Sequence, residues 1–355
     1  MKGIILHAGH GTRLRPLTHT GPKQLLPIAN KPMSQYCLES LKDAGITEIA
    51  IVIGGIGSKK VKEYYDDGSK YGVHLTYVEQ DSPKGIAHAI NLCQDFIDND
   101  KFVVFLGDNF INTSIAQFKQ IFEYSKHDAS LLLCHVDNPE QFGIAYLNGD
   151  KILKMIEKPK NPESNLAITG IYFLTPEIFK KIRKLKPSWR NELEIVDALQ
   201  MILDENGDIS YNIITDFWKD TGTPNDIIAA NKTILEKNSS EFYGHKDEDI
   251  IINGNVSVGK NSFLKQGAKI IGPVMIGENC IIDNASIIGP NVSIGNNTKI
   301  SQCSIKNSIV MDNCKIDTKI SISDSIIASN SDISLQNSDQ IYKKFLLGEG
   351  TKISL

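Results

Sequence analysis

The chain has 355 residues, a net charge of −4, 41% apolar and 23% charged residues. The length suggests about two domains, and the composition is that of a folded globular protein, which excludes a mainly disordered chain. Scattered Lys and Arg argue against a nucleic-acid partner, and no apolar stretch reaches the ~18 residues of a membrane span. Residues 1–6 run straight into a polar loop, so no signal peptide is expected. The six cysteines (Cys37, Cys93, Cys134, Cys280, Cys303, Cys314) form no CxxC or CxH pattern. They read as reduced packing thiols of a cytoplasmic protein.

From residue 2 to about 235, strands and helices alternate. Residues 2–6 are a short apolar run. Residues 33–44 have helical spacing (Met33, Tyr36, Cys37, Leu41) and stop at Gly45, a suitable C-terminal cap. Residues 48–53, 75–79 and 102–106 read as buried strands, and 86–97 and 114–124 as helices. This alternation predicts an α/β domain with a mostly parallel, Rossmann-like sheet covered on both faces. Such sheets bind ligands beyond the carboxyl ends of their strands.

Residues 236–249 are polar and without period, and are expected to connect residues 1–235 to a second domain, 250–355. There Ile252, Val258, Leu264, Ile270, Ile276, Ile282, Ile288, Ile294 and Ile300 recur every six residues. Small or β-branched residues such as Val256, Ser262, Ala268, Cys280 and Thr298 recur four positions after each aliphatic one. The phase slips by four near Lys306 and resumes at Val310, Ile316 and Ile322, with a last copy at Leu347 and Ile353. A period of six suits a parallel β-helix with three six-residue sides per coil, each placing one aliphatic side chain inside. The pattern resembles the hexapeptide family of left-handed β-helices, and the handedness is what that resemblance implies.

The chemistry concentrates near the first strand. Gly9 and Gly11 in Leu6-His7-Ala8-Gly9-His10-Gly11-Thr12-Arg13-Leu14 let backbone amides approach a phosphate, and Arg13 adds a permanent charge. Leu14 stands where a dinucleotide fingerprint needs its third glycine, and no Walker A string occurs. Lys23, in Gly21-Pro22-Lys23-Gln24-Leu25-Leu26-Pro27, completes a set suited to a triphosphate. His7 and His10 are read as packed or solvent-satisfied histidines.

The strings Gly9-His10-Gly11-Thr12-Arg13-Leu14-Arg15-Pro16-Leu17-Thr18, Pro22-Lys23-Gln24-Leu25-Leu26-Pro27 and Asn30-Lys31-Pro32 resemble the signature of sugar-1-phosphate nucleotidylyltransferases. Lys23-Gln24 resembles the glucose-1-phosphate thymidylyltransferase branch, and the added hexapeptide domain its long form. His7 departs from the family, where many members carry a small residue. The resemblance implies a nucleotide site at Ala8, Gly9, Gly11, Thr12, Arg13, Gln24, Gln80 and Gly85, the last two from Glu79-Gln80-Asp81-Ser82-Pro83-Lys84-Gly85. It implies a sugar-phosphate site at Gly143, Glu157, Lys158, Thr169, Gly170, Arg190 and Trp218. It implies Asp108, in Leu106-Gly107-Asp108-Asn109, and Asp220, in Trp218-Lys219-Asp220-Thr221-Gly222, as ligands of Mg²⁺. Without the resemblance, Asp108 and Asp220 read equally as helix caps and Glu157-Lys158 as an exposed charged pair.

The implied reaction is attack of a sugar-1-phosphate oxygen on the α-phosphorus of dTTP, with glucose-1-phosphate the expected acceptor. Two polyanions must meet in line, so positioning and charge neutralisation should dominate, with Arg13, Lys23 and Lys158 as catalytic groups. UTP as donor, a bifunctional enzyme with an acetyl-transferring β-helix, and a silent regulatory subunit remain alternatives. The exposed faces of a β-helix lead us to expect a homo-oligomer.

Overall fold

The computed structural model describes residues 1–334 other than Ala8 and His10. They pack as two compact units. The first contains Met1–Gly11, Thr18–Leu25 and Met33–Asp220; the second contains Thr12–Leu17, Leu26–Pro32 and the chain from Thr221.

The first unit is built on a nine-stranded sheet. Its parallel half runs Phe102–Leu106, Lys2–Leu6, Glu48–Ile53, His74–Glu79 in spatial order. Strands buried on both faces read as continuous apolar runs, and Ile4, Ile5, Ile49 through Val52 and Phe102 through Val104 are all fully buried. The strand expected at 75–79 as buried is instead half-exposed, because it forms the sheet edge and starts at His74. The helix expected over 33–44 is Met33–Asp43, ending where Gly45 takes φ +77. The helix expected over 86–97 is two, Ile86–Asn91 and Gln94–Ile97, interrupted at Cys93. That expected over 114–124 starts later and spans Ala116–Tyr124.

A second half of the sheet, absent from the sequence reading, is largely antiparallel. Leu166–Leu174 pairs with Phe102–Leu106 on one side and with Ala129–His135 on the other. Ile209–Ile214 continues beyond Ala129–His135, and the hairpin Gly143–Asn148 with Lys151–Glu157 closes the opposite end. Apolar cores cover both faces.

In the second unit, three sheets of five or six short parallel strands stack as the sides of a β-helix. Ile252 lies beside Ile270 and Ile270 beside Ile288, 18 residues per coil and hence three six-residue sides. The aliphatic residues from Val258 to Ile316 form one buried stack. The expected slip of four is two successive five-residue sides: Ile305, skipped by the sequence reading, is fully buried beside Ile288, and Val310 lies beside Ile294. Small polar side chains bond backbone carbonyls of the next coil at the corners, as with Ser262 Oγ to Gly277 O at 2.7 Å and Thr298 Oγ1 to Met311 O at 3.1 Å. Asn261, Asn279, Asn297, Asn313 and Asn330 take positive φ, a conformation asparagine tolerates. The copy expected at Leu347 and Ile353 lies outside the described residues.

Helix Pro224–Lys237 belongs to this unit and starts with a capping box between Thr223 and Asp226. Its buried Asn231 accepts from Ala29 N at 2.8 Å and from Ser293 Oγ at 2.9 Å, while Asn30 Nδ2 donates to Ile294 O at 2.7 Å. Beyond the helix, Phe242 bridges to Val258 and His245–Lys246 pairs with Phe263–Leu264, so the segment expected as a connection is drawn into the first coil. Among the described residues no helix is long and apolar enough to cross a membrane, and all six cysteines are unpaired.

Candidate active site

The parallel strands end in loops that carry most of the expected residues. Gly11, at φ +57, is closely packed: a methyl there would press on Thr18 Cγ2 at 3.0 Å and Lys23 Cβ at 3.3 Å. Thr18 Oγ1 donates to Gly11 O at 2.8 Å, fastening the glycine segment beside the turn that carries Lys23. Ala8 lies outside the described residues. Thr12 and Arg13 form a 3-10 turn of the second unit, where the Arg13 guanidinium lies against Gly222.

The Lys23 ammonium donates to a carboxylate oxygen of Asp108, and both side chains are largely buried. Burial pushes the Asp108 carboxyl up, but the charge and hydrogen bond of Lys23 outweigh it and hold the group below its ordinary value. Asp108 sits on a tight turn between Phe102–Leu106 and Asn109–Ile111, so it caps no helix. Asp220 is not a cap either, because Thr223 fills that role. The strand Trp218–Asp220 pairs antiparallel with Asn109–Ile111, setting Asp220 opposite Asn109. Asp108 thus immediately precedes one strand and Asp220, 112 residues later, lies on its partner. The Asn109 side chain is held between Asp108 and Trp218: its Nδ2 donates to Asp108 Oδ1 at 3.4 Å and its Oδ1 accepts from Trp218 Nε1 at 2.8 Å.

No group of three or more His, Cys, Asp or Glu suited to a metal occurs among the described residues. A pair of carboxylates fits Mg²⁺ rather than zinc or calcium, since Mg²⁺ keeps several waters and takes one or two carboxylates plus substrate phosphates.

Gln24 is 1% exposed, and its Oε1 has no hydrogen-bond partner among the described residues. The same holds for Thr169 Oγ1 and both ring nitrogens of His7. His7 is packed edge-on against Tyr65, and burial lowers its pKa to about 3 against the pull of Asp108, so it is neutral. Gln80 is buried with Nε2 2.8 Å from Nδ1 of His88. His88, which the sequence reading did not single out, thereby orients the Gln80 amide. Gly85 takes φ +101, and a methyl there would lie 2.5 Å from Leu193 O. Leu193 N donates to Lys84 O and Leu193 O accepts from Ala87 N, so this glycine accommodates a strand-like clasp.

Glu157 and Arg190 meet at the end of strand Lys151–Glu157. Far from an exposed charged pair, Glu157 is mostly buried. Its carboxyl is raised to about 7 by burial first and then by Glu194, against the opposing charges of Lys158 and Arg190. Arg190 contacts Glu157 at 3.3 Å, Glu192 at 2.9 Å and Glu194 at 3.5 Å. Gly143 leaves Glu157 its place, since a methyl there would lie 3.0 Å from Oε2. Phe142 packs edge-on against Trp218 at 5.4 Å, linking this cluster to the Asp220 strand. Gly170 packs against the Asn109 side chain, where a methyl would meet Cγ at 2.8 Å. Glu192 and Glu194 were missed by the sequence reading, although Arg190-x-Glu192-x-Glu194 is a visible alternation.

A glycine turn and a lysine–carboxylate pair at the ends of parallel strands, with a second carboxylate on the antiparallel pair beside them, suit a nucleotide-handling α/β enzyme. The chain belongs to the nucleotidyl transferase family, whose profile matches residues 2–237. The profile of the GMPPB C-terminal domain matches residues 270–354. Over their full lengths the chain is 39% identical to the low-salt glycan biosynthesis nucleotidyltransferase Agl11 of Haloferax volcanii. It is 38% identical to the glucose-1-phosphate thymidylyltransferase of Streptomyces antibioticus, covering 100% of this chain and 99% of that one. A crystal structure of a Bacillus anthracis candidate glucose-1-phosphate thymidylyltransferase in complex with sucrose matches with a TM-score of 0.64 and 41% identity, over 68% of this chain and 98% of that one. The protein is a sugar-1-phosphate nucleotidyltransferase with a nucleoside triphosphate and a sugar-1-phosphate as substrates.

Proposed function

We propose that the protein transfers a thymidylyl group from dTTP to glucose-1-phosphate, giving dTDP-glucose and pyrophosphate. The observation that carries this reading is the buried Lys23–Asp108 pair beside Asn109, whose strand partner is Asp220, with the glycine segment before Lys23 and Gln24 after it. The full-length likeness to the Streptomyces thymidylyltransferase supports dTTP and glucose-1-phosphate as the pair. Residues 1–235 would act as the catalytic domain, in the cytoplasm where nucleoside triphosphates are made.

The sugar phosphate is already ionised, so no protein nucleophile is required. Lys23 neutralises charge near the α-phosphate, Arg13 steadies the pyrophosphate as it leaves, and Lys158 meets the incoming phosphate. Glu157 bonds sugar hydroxyls beside Gly143, Thr169, Gly170 and Trp218, and Arg190 holds the sugar phosphate. Gly9, Gly11 and Thr12 line the triphosphate, while Gln24, Gln80 and Gly85 receive the nucleoside. Asp108 and Asp220 would hold Mg²⁺, which supplies charge neutralisation on the triphosphate.

Steady-state kinetics across a grid of nucleotides and sugar phosphates tests the assignment. We expect kcat/KM to favour dTTP, to fall for UTP and to be poor for ATP and GTP. One methyl in an apolar pocket is worth only ~1–3 kcal/mol, so UTP should leak through. A preference for a purine triphosphate would refute the donor.

The repeat has no histidine beyond His245, and so no imidazole at a coil boundary to deprotonate an acyl acceptor. Incubation with acetyl-CoA and glucosamine-1-phosphate is expected to release no free CoA above background. Release abolished by deleting residues after Asp249 would contradict this.

A further inference from the structure

The cluster around Arg190 carries more carboxylates than its cations can neutralise. Arg190 faces Glu157, Glu192 and Glu194. Of these, Glu192 is the most open and Glu194 is buried, with its Oε1 also accepting from Ser188 Oγ at 2.8 Å. Glu194 stands immediately before helix Ile195–Asp204, so its backbone is fixed by the helix start. Asp197, on the first turn of that helix, adds a third negative group near Glu157, and the Tyr172 hydroxyl faces the same cluster from the sheet. Lys158 and Arg190 oppose them.

We infer that Glu194 is a positioning residue for the sugar phosphate: its buried carboxylate, tied down by Ser188, sets both the Arg190 guanidinium and the charge carried by Glu157. This rests on the sugar-phosphate reading of the site given above. A buried like charge beside a carboxylate favours its neutral form, in keeping with the raised value at Glu157. A phosphate dianion drawn to Arg190 and Lys158 adds negative charge to the same cluster and screens both cations. Glu157 then gains a proton on binding, and as a neutral acid it donates to a sugar hydroxyl without repelling the phosphate. The balance is simple: one proton moves from solvent to a Glu157 oxygen, and no covalent bond of the substrate changes.

The test is calorimetry of glucose-1-phosphate binding to the enzyme loaded with a dTTP analogue bridged by methylene between the α and β phosphorus, in buffers of different ionisation enthalpy. At pH 7.5 the wild type should take up about half a proton per site, as expected for a group titrating near 7 and raised about one unit by the ligand. Glu194→Gln, which keeps an acceptor for Ser188, should take up only about 0.2 of a proton, because its Glu157 titrates about one unit lower, whereas Glu192→Gln should match the wild type. In parallel, the basic limb of the pH profile of kcat/KM for glucose-1-phosphate should move about one unit lower in Glu194→Gln.

The same variant has a stability readout. A carboxyl raised from 4.5 to about 7 binds more protons in the folded state, so stability falls as pH climbs through that window. Relieving the repulsion should give Glu194→Gln a higher Tm than the wild type at pH 8, and an unfolded Glu194→Gln would therefore overturn the inference. Binding with no buffer dependence would overturn it too, leaving the site assignment intact. Absence of glucose-1-phosphate binding would instead defeat the assignment itself, and this inference with it.

Discussion

Asp108→Asn and Asp220→Asn should each lower kcat by about two orders of magnitude or more, the scale of losing a major electrostatic stabiliser at a reacting phosphate. The two variants should differ in stability. Asp108 is the buried partner of Lys23, and breaking a buried ion pair from one side leaves the remaining charge poorly compensated. Asp108→Asn should therefore melt several degrees lower than the wild type. Asp220 lies on a short, half-buried strand, and Asp220→Asn should melt nearly as the wild type does. Turnover measured across a Mg²⁺ titration, with thermal melts of the same preparations, checks both statements. Near-normal Mg²⁺-dependent rates in both variants would remove these residues from the centre.

Gly85→Ala should destabilise the catalytic unit by about 3 kcal/mol or more. At φ +101 and ψ 169 the backbone lies in a region essentially reserved for glycine, and an added methyl would sit 2.5 Å from Leu193 O and 2.6 Å from Leu193 N. These are backbone atoms joined by hydrogen bonds to Lys84 and Ala87 and cannot swing aside. Overpacking adds about 1–3 kcal/mol to the conformational penalty. A Tm lower by roughly 10 °C is expected, with loss of dTTP affinity because Gln80 sits at the start of the same loop. A variant that melts normally but binds dTTP poorly would show instead that the glycine serves only the base.

The parallel half of the sheet was legible because its three inner strands are continuous apolar runs ended by glycine or short polar loops, whereas the edge strand His74–Glu79 is half-exposed. The antiparallel half was not. Its hairpin Gly143–Asn148 with Lys151–Glu157 mixes charge and apolar residues under a register shift between Ile152 and Lys154, which blurs the two-residue period. The β-helix was plain from its six-residue spacing, yet Ile305 was passed over because two successive short sides move the aliphatic residue out of phase. For the site, residue types could be read but not neighbours. The approach of Asp220 to Asp108 depends on a strand pairing that no local pattern encodes, and only the family resemblance suggested it. The reason for Gly85 lies in a partner 108 positions away. Arg13 falls in the second compact unit, which no stretch of text near the glycine turn could reveal.

That last division bears on how such a chain can be taken apart and recombined. The repeat is the kind of module that invites grafting, yet the path of the chain enters its unit twice before residue 33, at Thr12–Leu17 and Leu26–Pro32. The second of these is stitched to helix Pro224–Lys237 and to the coils through Asn231, Ser293 and the Ile294 carbonyl. No single cut therefore yields two self-contained halves. A swapped or shortened repeat inherits an N-terminal segment fitted to the old one, immediately after the stretch Thr18–Leu25 that carries Lys23. Exchange between relatives should succeed only when residues 12–17, 26–32 and 221 onward travel as one inheritance.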